Sequence, residues 1–315
     1  MKYQEIATND IDELFSWGSG WDAQYTQLTA GPLGFVTRQV KLPNIHIEWN
    51  SYGQSVLFHD VLRSPVLFFG VLLDSSPAAV YCGEELTADE GLIYHPGQEQ
   101  EYRIRSNSRA LGVAIDAEYW RKLGWPLSNK PTFKIPRHRL DRLIRTCEDV
   151  TALAMMPGKG KSEPQLELVM RDRLVAALYD AIEPWRAQRA AAESPGLDGT
   201  TAYQLVQRAA QVMDSRDWGE RLDIAELSAE LGLLQRTVYD CFARCYGVGP
   251  YELFQLRKLH TFRSAVLDGK PFHGKISQAA LLNGFHHMGR LTQLYRRHFG
   301  ETPRQTMKRR DIQSS

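Results

Sequence analysis

Residues 276–303 read Ile276-Ser-Gln-Ala-Ala-Leu-Leu-Asn-Gly284-Phe-His-His-Met-Gly-Arg290-Leu-Thr-Gln-Leu-Tyr295-Arg-Arg-His-Phe-Gly300-Glu-Thr-Pro303. Helical spacing puts Leu291, Leu294, Tyr295, His298 and Phe299 on one face of residues 288–299. Arg290, Gln293 and Arg297 fall on the opposite face, with Thr292 and Arg296 alongside. A helix with an apolar back and an Arg/Gln front is shaped to enter a major groove. There Arg can bond guanine O6 and N7, and Gln can bond adenine N6 and N7. His286 and His287 precede this helix in the turn, within reach of phosphates or base edges.

The same pattern occurs once earlier. Ile224, Gly232, Phe242, Gly247 and Pro250 recur as Ile276, Gly284, Tyr295, Gly300 and Pro303, offset by 52 residues before the second turn and 53 after it. Matched chemistry at that spacing indicates two helix-turn-helix units. The helices expected after residue 200 are 201–215, 223–231, 236–246, 250–267, 276–283 and 288–299, with a final turn from Pro303. In the first unit Val238, Cys241, Phe242 and Cys245 form the inner face, and Gln235, Arg236, Tyr239, Asp240, Ala243 and Arg244 the outer one. Asp240 is an anion on a face that would meet phosphate. It either reads cytosine N4 or weakens the unit, and the second reading is preferred.

Charge follows the same division. The net formal charge is +1, but residues 271–315 hold eight Lys/Arg against two Asp/Glu. A local basic excess on a nearly neutral chain suggests an anionic partner, with double-stranded DNA first. The 43% hydrophobic and 24% charged content of the 315 residues fits a globular protein of one large or two ordinary domains. The longest apolar run, 66–73, is too short to span a bilayer, so no membrane partner is expected. The first residues have no apolar signal core, and the four cysteines form no paired CxxC sites. Both point to a reducing, cytoplasmic setting. Cys241 and Cys245 lie four apart on one helix, but with no further ligands they read as buried filler.

These residues make the tail resemble the DNA-binding domain of the AraC/XylS family of bacterial transcription regulators. The first unit carries 224–232, Arg236-Thr237-Val238, Phe242 and 247–250. The second carries 276–280, Gly284-Phe285, 295–300 and Thr302-Pro303. The resemblance covers about a third of the chain and implies seven helices, with 250–267 connecting two DNA-reading units. This chain departs from the family where a small polar cap is Leu234, an Arg is Asp240, and a Ser-His pair is Gly289-Arg290. A connecting helix of about 18 residues would separate the reading helices by about 27 Å. That is somewhat less than the ~34 Å of one DNA turn.

The preceding half reads differently. Short strands are expected at 35–42, 45–49, 55–59, 66–73, 79–82, 92–95, 101–104 and 111–115, separated by turn signals. They suggest an antiparallel barrel or jelly roll of cupin-like type, followed by helices at 139–155 and from Pro164. The fold class expected for the whole chain is therefore α+β, with an all-α tail. The stripe Leu166, Val169, Met170, Leu174, Ala177, Leu178, Ala181 and Ile182 either forms a dimer contact or packs on its own barrel, and Pro184 limits or kinks that helix. The linker is Glu193-Ser-Pro-Gly-Leu-Asp-Gly-Thr200. It divides a sensor and dimerisation domain (1–193) from a DNA-binding domain (201–315) across residues 194–200.

Candidate effector contacts are Trp49, Tyr81, Tyr94, His95 and Tyr102; most aromatics of this half are expected to be core. His46, His59, His95 and His138 form no HxH, so no metal and no cofactor are expected. No catalytic motif is present either. The expected function is a sequence-specific transcription regulator responding to an unknown small molecule; the resemblance implies a homodimer, with RNA polymerase as a further partner. The rival readings are a cupin-type enzyme with a DNA-targeting tail and a ligand-blind DNA binder.

Overall fold

The computed structural model describes residues 1–14, 21–74, 79–97, 99–125, 132–156, 164–188, 201–216, 221–268 and 276–313. The expected linker, residues 194–200, lies outside these.

The first half contains strands β1 (Lys2–Thr8), β2 (Trp21–Gln27), β3 (Phe35–Leu42), β4 (Ile45–Tyr52), β5 (Val56–Leu62), β6 (Val66–Leu72), β7 (Ala79–Tyr81), β8 (Glu84–Leu86), β9 (Glu90–Tyr94), β10 (Glu99–Ile104), β11 (Ser108–Asp116) and β12 (Thr132–Lys134). They form two antiparallel sheets rather than a closed barrel. The seven-stranded sheet runs β1-β3-β4-β11-β6-β9-β12 and the five-stranded sheet β2-β5-β10-β7-β8.

Alternation along the strands decides what each face meets. On β4, Ile45 and Ile47 face outward into an apolar layer, while Glu48 and Asn50 face a cavity between the sheets. That outer layer is covered by α1 (Ala117–Lys122), α2 (Arg137–Met155) and α3 (Pro164–Gln188). α1 starts where the Asp116 carboxylate accepts from the backbone N–H of Glu118 and Tyr119, a cap that offsets two orphan donors.

α3 settles the fate of the apolar stripe. Leu174, Ala177, Leu178, Ala181 and Ile182 are buried within this single chain, against the seven-stranded sheet and α2. Of the two options, the stripe packs on its own sheet. Val169 remains exposed and Leu166 and Met170 half-buried. The helix backbone continues past Pro184 to Gln188, so the proline does not end it.

The second half is helical: α4 (Thr201–Asp214), α5 (Ile224–Leu231), α6 (Gln235–Tyr246), α7 (Pro250–Asp268), α8 (Ile276–Leu282), α9 (Met288–Phe299) and α10 (Pro303–Gln313). All five repeated pairs occupy equivalent places. Ile224 and Ile276 open α5 and α8. Gly232 and Gly284 follow those helices with φ of 68° and 67°, and Gly247 and Gly300 close α6 and α9 at 70° and 76°. This left-handed conformation is the one glycine adopts without a Cβ penalty. Phe242 and Tyr295 fill the cores of their units, and Pro250 and Pro303 begin the next helices. The final segment is a full helix rather than a turn.

The halves meet directly. Leu28 and Leu57 join the core of the first unit, and the core of the second is continuous with the apolar residues around the cavity. At the centre of the second contact lies Arg263, 1% exposed. Its guanidinium donates to Asp12 (2.5 Å), Asp10 (2.7 Å), Glu301 (2.9 Å) and the Tyr295 hydroxyl (2.9 Å). Arg309 adds a second cation beside Asp10 and Glu301. Gln27 completes the contact. Its Nε2 donates to the carbonyl of His298 (3.0 Å), its carbonyl meets His298 Nε2 (3.0 Å), and its N–H donates to His260 Nε2 (3.1 Å).

Candidate nucleic-acid interface and effector cavity

The recognition helices have the expected inner faces with two differences. α6 buries Val238, Phe242, Cys245 and Tyr246, while Cys241 is only half-buried. α9 buries Leu291, Tyr295, His298 and Phe299, but Leu294 is 41% exposed and does not belong to the apolar back. Position 294 lies at the edge of the stripe, where the neighbouring helices leave it uncovered.

The outer faces differ electrostatically. On α9, His286, His287, Arg290, Gln293, Arg296 and Arg297 are exposed. None of these three arginines has an ion-pair partner among the described residues. Thr292 is half-buried, and its hydroxyl donates to the Met288 carbonyl at 2.9 Å. On α6, Gln235, Arg236, Tyr239, Asp240 and Arg244 are exposed and Thr237 is half-buried. Arg236 Nε lies 3.8 Å from Asp240 Oδ2, one helical turn on, so the leading cation is partly neutralised. Arg244 lines a crevice with Glu84, Glu85, Arg103 and Arg105, where the end of α6 faces the five-stranded sheet. Neither helix has a side-chain cap at its start, where Leu234 and His287 stand.

Burial controls the titrating groups behind these helices. It pushes the Cys245 thiol up to about 11, helped by Cys241. His298 is held down to about 4 by burial, with Arg263 adding to the effect, and His260 is lowered in the same way. Burial pushes Asp12 up to about 6 even beside Arg263, and the charge of Asp10 adds to this. For Asp10, burial is outweighed by Arg263, Asp12 and Arg309, so its carboxyl stays below the ordinary range.

The cavity between the sheets has a volume of about 150 Å³. Aromatic rings form much of its wall: Tyr25, Phe35, Tyr52, Phe58, Phe68, Tyr94 and Tyr102. Phe58 and Tyr102 stack at 4.6 Å and 6°. Gly112 gives Phe68 its place, since a Cβ there would lie 2.3 Å from the ring.

Of the five aromatic and histidine candidates, Tyr94 and Tyr102 line this space. Tyr81 sits one ring behind, 6.3 Å from Tyr94, and His95 is half-buried and not part of the wall. Trp49 points to the opposite face of its sheet, where Nε1 donates to Thr151 Oγ1 of α2 at 2.9 Å. Its odd position on β4, in phase with Ile45 and Ile47, is the reason.

Asp60 was not among the candidates, yet it is buried in the cavity wall at 2% exposure. The alternation Val56, Phe58, Asp60, Leu62 carries the signal, because it places an aspartate in phase with three apolar residues. Arg263 has a similar signal, lying in helical phase with Leu259 and Val266.

A helix-turn-helix domain family matches residues 227–309. The XylDLEGF operon transcriptional activator 1 of Pseudomonas putida is 35% identical over 88 residues, which are 28% of this chain and 27% of that protein. The match thus spans about a quarter of the curated relative. Among solved structures, a probable AraC family transcriptional regulator from Rhodopseudomonas palustris CGA009 is 27% identical, covering 34% of this chain and 97% of that one, at a TM-score of 0.31. The AraC-like transcriptional activator CuxR is 13% identical, covering 90% of this chain and 100% of that one, at 0.42. Residues 227–309 thus form a helix-turn-helix domain, and the curated protein they resemble is a transcriptional activator.

Proposed function

We propose that the chain is a sequence-specific DNA-binding transcription regulator that responds to a small molecule. The observation that carries the reading is a duplicated helix-turn-helix unit in direct contact with a second, cavity-bearing half. In this reading Arg290 and Gln293 contact bases, and Arg296, Arg297, His286 and His287 contact phosphates or base edges. Thr292, Gln235, Arg236, Thr237, Tyr239, Asp240 and Arg244 contribute at the margins. Residues 1–193 serve as sensor, 194–200 as linker and 201–315 as DNA-binding domain.

The effector occupies the cavity between the sheets. The segment after β1 couples the cavity to the reader, because Leu14 lines the cavity while Asp10 and Asp12 grip Arg263. Binding, not catalysis, is the role of the whole chain, in a cytoplasmic setting. Self-association uses the exposed Met155, Met156, Leu168 and Val169 of the α2–α3 end rather than the buried stripe. RNA polymerase is the proposed downstream partner.

The test is selection of bound fragments from random DNA by the full chain, with and without a panel of small metabolites. A recurrent sequence whose enrichment changes with one metabolite is the expected result. Enrichment without sequence preference would defeat the reading.

A further inference from the structure

The cavity wall has an unusual charge balance. It contains three carboxylates, Glu48, Asp60 and Glu90, and no lysine, arginine or histidine among the described residues. Two of these carboxylates are already occupied. Glu90 accepts from the Thr87 N–H and hydroxyl at 2.8 Å, and Glu48 lies 3.2 Å from His46 Nε2 and 3.5 Å from Gln39 Nε2. Asp60 differs. It is the most deeply buried of the three, and its Oδ1 has no hydrogen-bond partner among the described residues. A buried carboxylate oxygen left unsatisfied costs free energy, and a bound donor recovers it.

The rings around Asp60 supply the rest of the site. Tyr25, Tyr52, Phe58, Tyr94 and Tyr102 line the same cavity, and their faces are electron-rich. A cavity of about 150 Å³ holds a molecule of roughly benzene size. An anion would meet three carboxylates and no counter-charge there. We propose that the cavity takes a small organic cation, a primary amine carrying an apolar body of one ring, with its ammonium on Asp60 and its body among the tyrosines. This rests on the reading of the cavity as the effector site and names the class of effector.

The titration of Asp60 supports the assignment. Burial pushes its carboxyl up to about 7, although side-chain hydrogen bonding to Gln100 and Tyr102 and the charge of His59 favour the charged form. The titratable groups around it are Tyr25 from β2, Glu48 and Tyr52 from β4, Tyr81 from β7, Tyr94 from β9 and Tyr102 from β10, while His59, next along its own strand, points to the other face but still favours its charge. None of them is a lysine or arginine. A cationic ligand selects the ionised carboxylate, so binding below that value releases a proton. Affinity should rise about tenfold per pH unit toward about 7 and level off above it.

The test uses three probes of one size on the full chain without DNA: benzylamine, benzyl alcohol and benzoate, read by calorimetry. Benzylamine is expected to bind at least about tenfold more tightly than either of the others. Asp60→Asn, which keeps the shape and removes the charge, should weaken benzylamine at least about tenfold and leave benzyl alcohol unchanged. The pH series on the unmodified protein needs no variant to fold. A flat series from pH 5 to about 8 overturns the proposal. So does equal or tighter binding of benzoate or benzyl alcohol, or no benzylamine binding at about 10 mM. DNA affinity is then read separately by fluorescence anisotropy. Charge-selective binding with DNA affinity unmoved supports the cation site while defeating the regulator reading. DNA affinity moved equally by the neutral or anionic probe does the reverse.

Discussion

The two helix-turn-helix units share a backbone plan and differ in where their charge goes. In the first, Arg236 faces Asp240 on the reading helix, and the unit is fixed to the five-stranded sheet by Leu28, Leu57 and the hydrogen bond from Gln207 to Glu101 at 2.9 Å. In the second, the exposed arginines of α9 have no ion-pair partner among the described residues, while the deep cation, Arg263, holds the contact with residues 10 and 12. Equivalent topology therefore does not make equivalent surfaces. The glycines and apolar residues that define the repeat fix the frame, and the side chains between them set the function of each copy.

The largest expected effect tests the anchoring half of that contrast. Arg263→Ala leaves buried Asp10 and half-buried Asp12 and Glu301 without their main cation, with Arg309 remaining beside two of them, and should cost about 3 kcal/mol of stability. Chemical denaturation of the full chain measures it. A cost under about 1 kcal/mol would mean that the second unit is not held by this network.

Next comes the reading half. Arg290→Ala should cost about 1–3 kcal/mol of DNA affinity and relax preference at one base position. Arg236→Ala should cost less than about 1 kcal/mol, because that side chain is already shared with Asp240. Anisotropy titrations at one salt concentration compare the two, and equal losses would break the asymmetry. The smallest effect concerns helix starts. Leu234 is 78% exposed and provides no side-chain cap to α6. Leu234→Ser should add roughly 0.5–1 kcal/mol by accepting from a first-turn N–H, measured by thermal unfolding.

Much of this architecture was legible in the sequence, and the omissions have a common cause. β3 and the other central strands are apolar enough to announce themselves. The four strands that composition did not reveal, β1, β2, β8 and β12, are the four edges of the two sheets. An edge strand buries less and carries polar residues such as those of KYQEIAT and WDAQYTQ, so its alternation is weak. The expected strand ends at His59, whereas β5 continues to Leu62 and carries Asp60 inward. The tail was clearer because two copies of one pattern confirm each other. For Arg263 the apolar phase with Leu259 and Val266 signals burial but not its partners, because Asp10 and Asp12 lie about 250 residues away in the chain.

The five-stranded sheet has one face on the cavity and the other on the helical half, and successive residues serve different masters. Asp60, Tyr102 and Phe58 look inward, while His59, Glu101 and Leu57, their immediate chain neighbours, meet one another or the first unit. Two messages are thus written on a single ribbon, interleaved letter by letter. A change in how the inner residues sit needs to cross only the thickness of one peptide plane to be felt on the far side. In the proposed regulator this sheet is a second route between the cavity and the first unit, beside the one through residues 10–14.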